Sequence, residues 1–259
     1  MDLKIENKIF LVTGGDKGIG FGIVQVLAEE GAIPVIIGRK PKDVARAVQT
    51  IEEMGGKALG LLAELTDPVQ CKQAVDKTLE TLGRIDGLVN NAGVNDGVGL
   101  ESGNYEAFKA SIDKNLTHYY MMAHHVLPQL KKNKGAIVNI GSKTATTGQG
   151  GTSGYAGANG GRNALTREWA VELLPHNIRV NAVIVAECYT PLYDRWIKTF
   201  DNPTEKLKSI TDRIPLEKRM TTPREIASTV TFLLSERSSH TTGQLIYVDG
   251  GYTHLDRTL

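Results

Sequence analysis

The sequence predicts an α/β fold: a Rossmann-like, doubly wound parallel sheet of about seven strands with helices on both faces. Three observations predict it. Short apolar runs alternate with helical patterns from end to end. Several runs are Val/Ile-rich and apolar at successive positions, as strands buried on both sheet faces require. The first run also leads straight into a glycine-rich turn that opens a helix.

The expected strands are "KIFLVT" (8–13), "IPVIIG" (33–38), "KALGLLA" (57–63), "IDGLVNN" (85–91), "GAIVNIG" (135–141), "IRVNAVIV" (178–185) and "QLIYVDG" (244–250). After the first of them, Ile19, Ile23, Val26 and Leu27 form an apolar stripe at helical spacing, ended by Gly31. A long helix is expected near 105–131, with Phe108, Ile112, Asn115, Tyr119 and Met122 on one face. Parallel strands need crossovers of this length, so the β-α order gives a doubly wound sheet. No internal repeat, low-complexity tract or linker interrupts it, and residues 1–259 are expected to form a single domain. The stretch 186–222, rich in Pro, Thr and charge, is the least regular, and is where a lid over a ligand would lie.

Composition narrows the class. Of the 259 residues 41% are apolar and 23% charged, the balance of a soluble globule with a sizeable core. A net charge of +1 without a Lys/Arg run gives no basis for binding nucleic acid or an anionic membrane. The start "MDLKIENKIFLVTGG" does not read as a signal or transit peptide, and no apolar run approaches a membrane span, so a cytoplasmic protein is expected. Cys71 and Cys188 form neither a disulfide framework nor a metal site. His118, His124 and His125, on the long helix, read as packing or interface residues, and no metal is expected.

The turn "TGGDKGIG" (13–20) carries glycines at 14, 18 and 20, which let backbone approach a pyrophosphate while the helix N-terminus offers free N–H groups. In this strand–turn–helix setting it reads as a nucleotide site. The second strand ends in "GRK", so Gly38 stands where an acidic residue would bind the ribose and repel a 2′-phosphate. Arg39, Lys40 and Lys17 offer cations, and guanidinium pairs well with phosphate. NADP(H) is therefore preferred, with NAD(H) left open; the alternative for these cations is an ordinary solvated loop.

Taken with "NNAG" (90–93), Asn115 in "DKNL", Ser142 in "NIGSKTA", Tyr155 thirteen residues later, "RVNAV" (179–183) and "GQLIYVDGG" (243–251), the chain resembles the short-chain dehydrogenase/reductase family over nearly its whole length. "SKTATTGQGGTSGY", "NALTREWA" and "AECYTPLY" resemble L-fucose dehydrogenase-like sugar dehydrogenases within it. The resemblance implies an oxidoreductase moving hydride between a nicotinamide cofactor and an alcohol or carbonyl, usually as a tetramer or dimer. A homotetramer acting on a small sugar or polyol is expected here, such as an L-fucose-like aldose oxidised at C1.

The resemblance maps Asn115, Ser142 and Tyr155 onto three members of a catalytic tetrad. Tyrosine suits proton transfer to or from a substrate hydroxyl if its pKa is brought down from about 10. Serine can bond the same oxygen and stabilise its charge, and Asn115 can hold a backbone carbonyl and a water in a proton path. The resemblance also places Gly14, Lys17, Gly18, Ile19, Gly20, Arg39, Glu64, Leu65, Asn91, Gly93, Tyr155, Val185 and Thr190 along the cofactor. Asn90 has a structural role at least as readily as a binding one. Val185-Ala186 stand where the family has Pro-Gly.

One member of the tetrad differs. At i+4 from Tyr155 the family carries a lysine that holds the nicotinamide ribose and lowers the tyrosine pKa, and this sequence has Asn159. Asn159 can still donate to a ribose hydroxyl but carries no charge, so losing the lysine could leave Tyr155 about 10- to 1000-fold less ionised. Lys143 and Arg162 are cations in reach by sequence, each with a solvated surface side chain as its alternative reading. Asn95, Gln149, Glu187 and His254 are candidates to line a sugar site, with Tyr189 or Trp196 as stacking surfaces. A handicapped but working dehydrogenase is the favoured expectation. The alternatives are cofactor-assisted isomerisation or epimerisation without net redox, and non-catalytic NADP(H) binding.

Overall fold

A computed structural model describes residues 1–255 of the chain; the last four residues of the expected domain, 256–259, lie outside the described residues. In chain order the elements are β1 (Ile9–Thr13), α1 (Gly18–Glu29), β2 (Ile33–Gly38), α2 (Pro41–Glu53), β3 (Leu59–Leu62), α3 (Pro68–Leu82), β4 (Gly87–Asn90), α4 (Tyr105–Ile112), α5 (His118–Asn133), β5 (Ala136–Ser142), α6 (Thr144–Thr147), α7 (Ser153–Glu172), β6 (Arg179–Val185), α8 (Pro191–Ile197), α9 (Pro203–Thr211), α10 (Pro223–Leu234) and β7 (Leu245–Val248). All seven expected strands are present, each within two residues of its expected ends or slightly shorter.

The strands form one parallel sheet in the order β3-β2-β1-β4-β5-β6-β7. The order in which strands are added reverses between β1 and β4, which opens a crevice at the carboxyl ends of those strands. Alternation along each strand feeds two cores. Phe10 and Val12 of β1 pack with Ile23 and Leu27 of α1 and Ile226 and Val230 of α10 on one face. Ile9 and Leu11 pack with Tyr119, Met122 and Trp169 on the other.

Two sequence expectations are corrected. The helix expected at 105–131 is α4 and α5 joined through a π-helical turn, Asp113–Thr117, and it ends at Asn133. Phe108 does not share the buried face with Asn115, Tyr119 and Met122; it is 43% exposed, because the extra residue per turn rotates α4 relative to α5. The stretch 186–222 is also more regular than its composition suggests. It folds into α8 and α9, capped by Thr190 and Asn202 with Pro191 and Pro203 at the first helical positions. Its two ends meet: Cys188 bridges Thr221, and Thr221 N donates to Glu187 O.

Candidate active site

A cleft of about 660 Å³ opens at the carboxyl ends of β1 to β6. Every residue expected along the cofactor lines it except Asn159. The glycine-rich turn is built to admit an anion. Gly18 takes the left-handed backbone (φ +57°), and a Cβ at position 20 would stand 2.1 Å from the Gly14 carbonyl oxygen. Only a bare backbone lets the turn close so tightly onto the start of α1, whose free N–H groups and dipole face the cleft. Asn91 fixes the turn from β4, its amide donating to the Thr13 and Gly14 carbonyls at 2.9 and 3.2 Å. These features fit the pyrophosphate of a dinucleotide. Asn90 is buried instead and donates to Asn139 Oδ1 and the Tyr119 carbonyl, tying β4 to its neighbours.

Charge at the end of β2 is balanced. Arg39 meets Glu64 at 3.1 Å, and Lys17 lies 3.3 Å from Asp16 and 3.5 Å from Asp43. Hydrogen bonds from Thr66 and Arg39 outweigh partial burial and hold the Glu64 carboxyl below its usual range. Sequence reading missed Asp16. Gly38 carries no side chain, but a Cβ there would be 3.0 Å from the Asp16 carboxyl carbon, so a carboxylate reaches that spot from the glycine-rich turn.

At the other end, Ser142 (the last residue of β5) and Tyr155 (in the first turn of α7) line the same cleft. Ser142 Oγ accepts from Thr144 N at 3.3 Å and Thr144 Oγ1 at 3.2 Å. Asn115 does not line the cleft. It sits fully buried in the π-helical turn, where its Oδ1 accepts from Val94 N at 2.8 Å and its amide donates to Ser111 O. It thereby anchors the loop after β4 that carries Gly93 and Asn95.

Asn159 faces inward, 0% exposed; its amide donates back to Tyr155 O at 2.9 Å and its Oδ1 accepts from Arg162. It is therefore not directed at the cleft, contrary to the cofactor contact expected of it. Arg162, read from sequence as one of two charge candidates, is 3% exposed and reaches the cleft wall beside Gly93. The other candidate, Lys143, is neither solvated nor free: its ammonium is paired with Glu187 and lies 3.8 Å from the centre of the Tyr252 ring.

Of the residues expected at a sugar, Asn95 lines the cleft; Glu187 lies behind the wall in its pair with Lys143, while Gln149 and His254 are exposed outside it. Tyr193 of α8 lines the cleft, and burial and the Glu187 carboxylate push its phenol up. His118 also reaches the wall. Burial first, and the Arg162 charge second, lower it to about 3, so it is a neutral ring at neutral pH. Burial pushes the Cys188 thiol up to about 12, so it offers no thiolate.

The enoyl-(acyl carrier protein) reductase family model matches residues 14–253, from the glycine-rich turn to beyond the last strand. The chain belongs to the short-chain dehydrogenase/reductase family. It is 34% identical over 250 residues to the 3-oxoacyl-[acyl-carrier-protein] reductase FabG of Thermotoga maritima, covering 96% of this chain and 99% of that protein. It is 32% identical over 252 residues to the L-fucose dehydrogenase of Bos taurus, covering 97% and 91%. A solved crystal structure of Cj0485 dehydrogenase superposes with a TM-score of 0.95 at 45% identity, covering 100% of this chain and 99% of that one. As a short-chain dehydrogenase/reductase the protein is an oxidoreductase enzyme of a family that uses NAD(P)(H), and the relatives include both sugar dehydrogenases and acyl-carrier reductases.

Proposed function

We propose that the protein is an NADP(H)-preferring dehydrogenase of a sugar or polyol, oxidising an L-fucose-like aldose at C1. Tyr155 is the proton carrier and Ser142 holds the substrate oxygen. The observation that carries this reading is that Ser142 and Tyr155 line the same cleft as a glycine-rich turn whose shape suits a pyrophosphate. Bound there, a nicotinamide cofactor supplies the acceptor or donor of hydride at the substrate carbon. Tyr155 takes the hydroxyl proton as the carbonyl forms and returns it in the reverse direction. Ser142 donates to the substrate oxygen as its charge grows. Asn95 offers a polar contact to the remaining hydroxyls, and the 186–222 segment closes over them through Leu192, Tyr193 and Arg195.

The cofactor preference rests on Arg39, Lys40 and Lys17. The Arg39–Glu64 pair is exposed and holds little free energy, so a 2′-phosphate can draw the guanidinium away. Asp16 is held by Lys17 and adds little repulsion. By family resemblance the enzyme is read as a homotetramer, and by its sequence as cytoplasmic; among the described residues no helix is long and apolar enough to cross a membrane.

A turnover screen of NADP⁺ and NAD⁺ against aldoses and polyols tests the reading. Absorbance at 340 nm should rise with an aldose, faster with NADP⁺, and Tyr155→Phe should lower kcat by roughly 10²–10⁴-fold. Sugar conversion with no change at 340 nm would replace oxidation by an internal redox isomerisation. Faster turnover with NAD⁺ would overturn the role given to Arg39.

A further inference from the structure

We propose that Arg162 is the positioning cation of this site: its guanidinium takes the place of the lysine that the family resemblance puts at position 159, and Asn159 is the partner that arrangement requires. The proposal rests on the dehydrogenase reading above.

Tyr155, Asn159 and Arg162 are spaced i, i+4 and i+7 along α7, so they stack on one helix face. From the third position the long arginine side chain reaches back past the second. Its Nε donates to the Asn115 carbonyl at 2.7 Å, Nη1 donates to Ile140 O at 3.1 Å and Asn159 Oδ1 at 3.0 Å, and Nη2 makes a long contact of 3.4 Å to Asn115 Oδ1. Those four bonds leave one of the five guanidinium N–H groups without an acceptor among the described residues. It belongs to Nη2, the atom that a Cβ on Gly93 would meet at 2.8 Å, on the cleft wall. The guanidinium carbon lies 4.3 Å from the centre of the Tyr119 ring and 5.9 Å from that of Tyr155.

Every acceptor around Arg162 is a neutral carbonyl or amide oxygen, and no carboxylate among the described residues pairs with it. Arginine stays ionised even when buried, so this is an uncompensated cation at low effective dielectric. The other charges facing the site are paired, remote or exposed; Arg195 of α8 lines the cleft as an exposed side chain. Lys143 on the β5 side is paired with Glu187, Lys114 below α5 lies 3.9 Å from Asp96, and Lys17 sits with Asp16 at the pyrophosphate end. Tyr119 of α5, whose ring faces the guanidinium, and His118 beside that ring are both held neutral by burial. Negative charge developing on Tyr155 therefore meets one buried, unpaired cation among the described residues facing the site, Arg162. The same side chain donates to the Asn115 carbonyl within the π-helical turn.

This accounts for Asn159. A lysine there would press a second cation against the guanidinium, whereas the asparagine Oδ1 accepts a hydrogen bond from it. The charge has moved one turn along α7, and position 159 has changed to suit.

A four-variant comparison tests this: wild type, Arg162→Leu, Asn159→Lys, and the Asn159→Lys/Arg162→Leu double variant, with Arg162→Lys as the conservative change. Arg162→Leu should lower kcat/KM near neutrality by about 10- to 1000-fold, with the acidic limb of its pH profile displaced upward by about 1–3 units. Asn159→Lys alone should reduce activity, and the double variant should recover part of what Arg162→Leu loses. Ultraviolet titration of Tyr155 in the NADP⁺ complex, isolated by subtracting Tyr155→Phe, should follow the same order and needs no substrate. Calorimetric NADP⁺ affinity separates loss of binding from loss of charge.

A limb and titration unmoved in Arg162→Leu, or a double variant no better than it, would overturn the proposal. If Arg162→Leu does not fold, Arg162→Gln removes the charge with a polar side chain and carries the same comparison, and a limb and titration unmoved there overturn the proposal. A wild type that turns over no alcohol sinks the dehydrogenase reading, while the titration still decides the role of Arg162.

Discussion

His118 shows how far one buried side chain reaches. It is 1% exposed at the cleft wall, and burial first, with the Arg162 charge second, keeps its ring neutral down to about pH 3. The unfolded chain takes up a proton near pH 6.5, so it binds more protons than the native state between about 6.5 and 3. Stability is full above that upper value and falls as pH drops, by up to about 1.4 kcal/mol per unit, or roughly 2 kcal/mol from pH 6.5 to 5. Urea unfolding at pH 7.5 and 5 should therefore show a smaller loss in His118→Gln than in wild type; equal losses would assign the acid sensitivity elsewhere. At this scale the sequence was readable where spacing carries the meaning, as for Ser142 and Tyr155. It was not readable where a long side chain chooses its direction. Asn159 and Arg162 lie on the expected helix, but which of them faces the cleft depends on carbonyls from Asn115 and Ile140, 22 or more residues away. Asp16 was hidden for a similar reason, since its approach to Gly38 exists only once β1 and β2 pair.

Among the elements, α1 and α10 lie side by side on one face of the sheet but begin differently. α1 opens on close backbone packing at Gly20 and has no side-chain cap, which leaves its N–H groups for a ligand. α10 opens on a capping box, in which Thr222 Oγ1 accepts from Glu225 N while the Glu225 carboxylate accepts from Thr222 N at 2.8 Å. Gly20→Ala must displace the turn and should weaken NADP⁺ binding by more than tenfold in calorimetry. Thr222→Ala should lower Tm by about 2–4 °C, from a cap worth roughly 1 kcal/mol, and leave that affinity unchanged. The strands and α1 were legible from apolar runs and turn residues. The π-helical turn in the 105–133 helix was not, because one extra residue leaves the local pattern helical and only rotates what precedes it.

Over the whole molecule, the crossover order brings the ends of six strands to one crevice, so a bound dinucleotide would touch segments far apart in the chain. NADP⁺ at about 100 times its Kd should then stabilise the native state by about 2.7 kcal/mol and raise Tm by roughly 5–10 °C. No shift with either nicotinamide cofactor would remove the cleft from consideration as their site. The excursion carrying α8 and α9 leaves β6 and returns beside it at the bridge between Cys188 and Thr221, with a second tether where Leu216 N donates to Gly250 O at 3.0 Å. A loop with pinned ends can lengthen at small entropic cost, about 0.6 kcal/mol per doubling. Apart from Thr190 and its neighbours at the cleft, what lies between Cys188 and Thr221 is therefore the stretch most open to rewriting, since Ser142 and Tyr155 are held elsewhere, on β5 and α7.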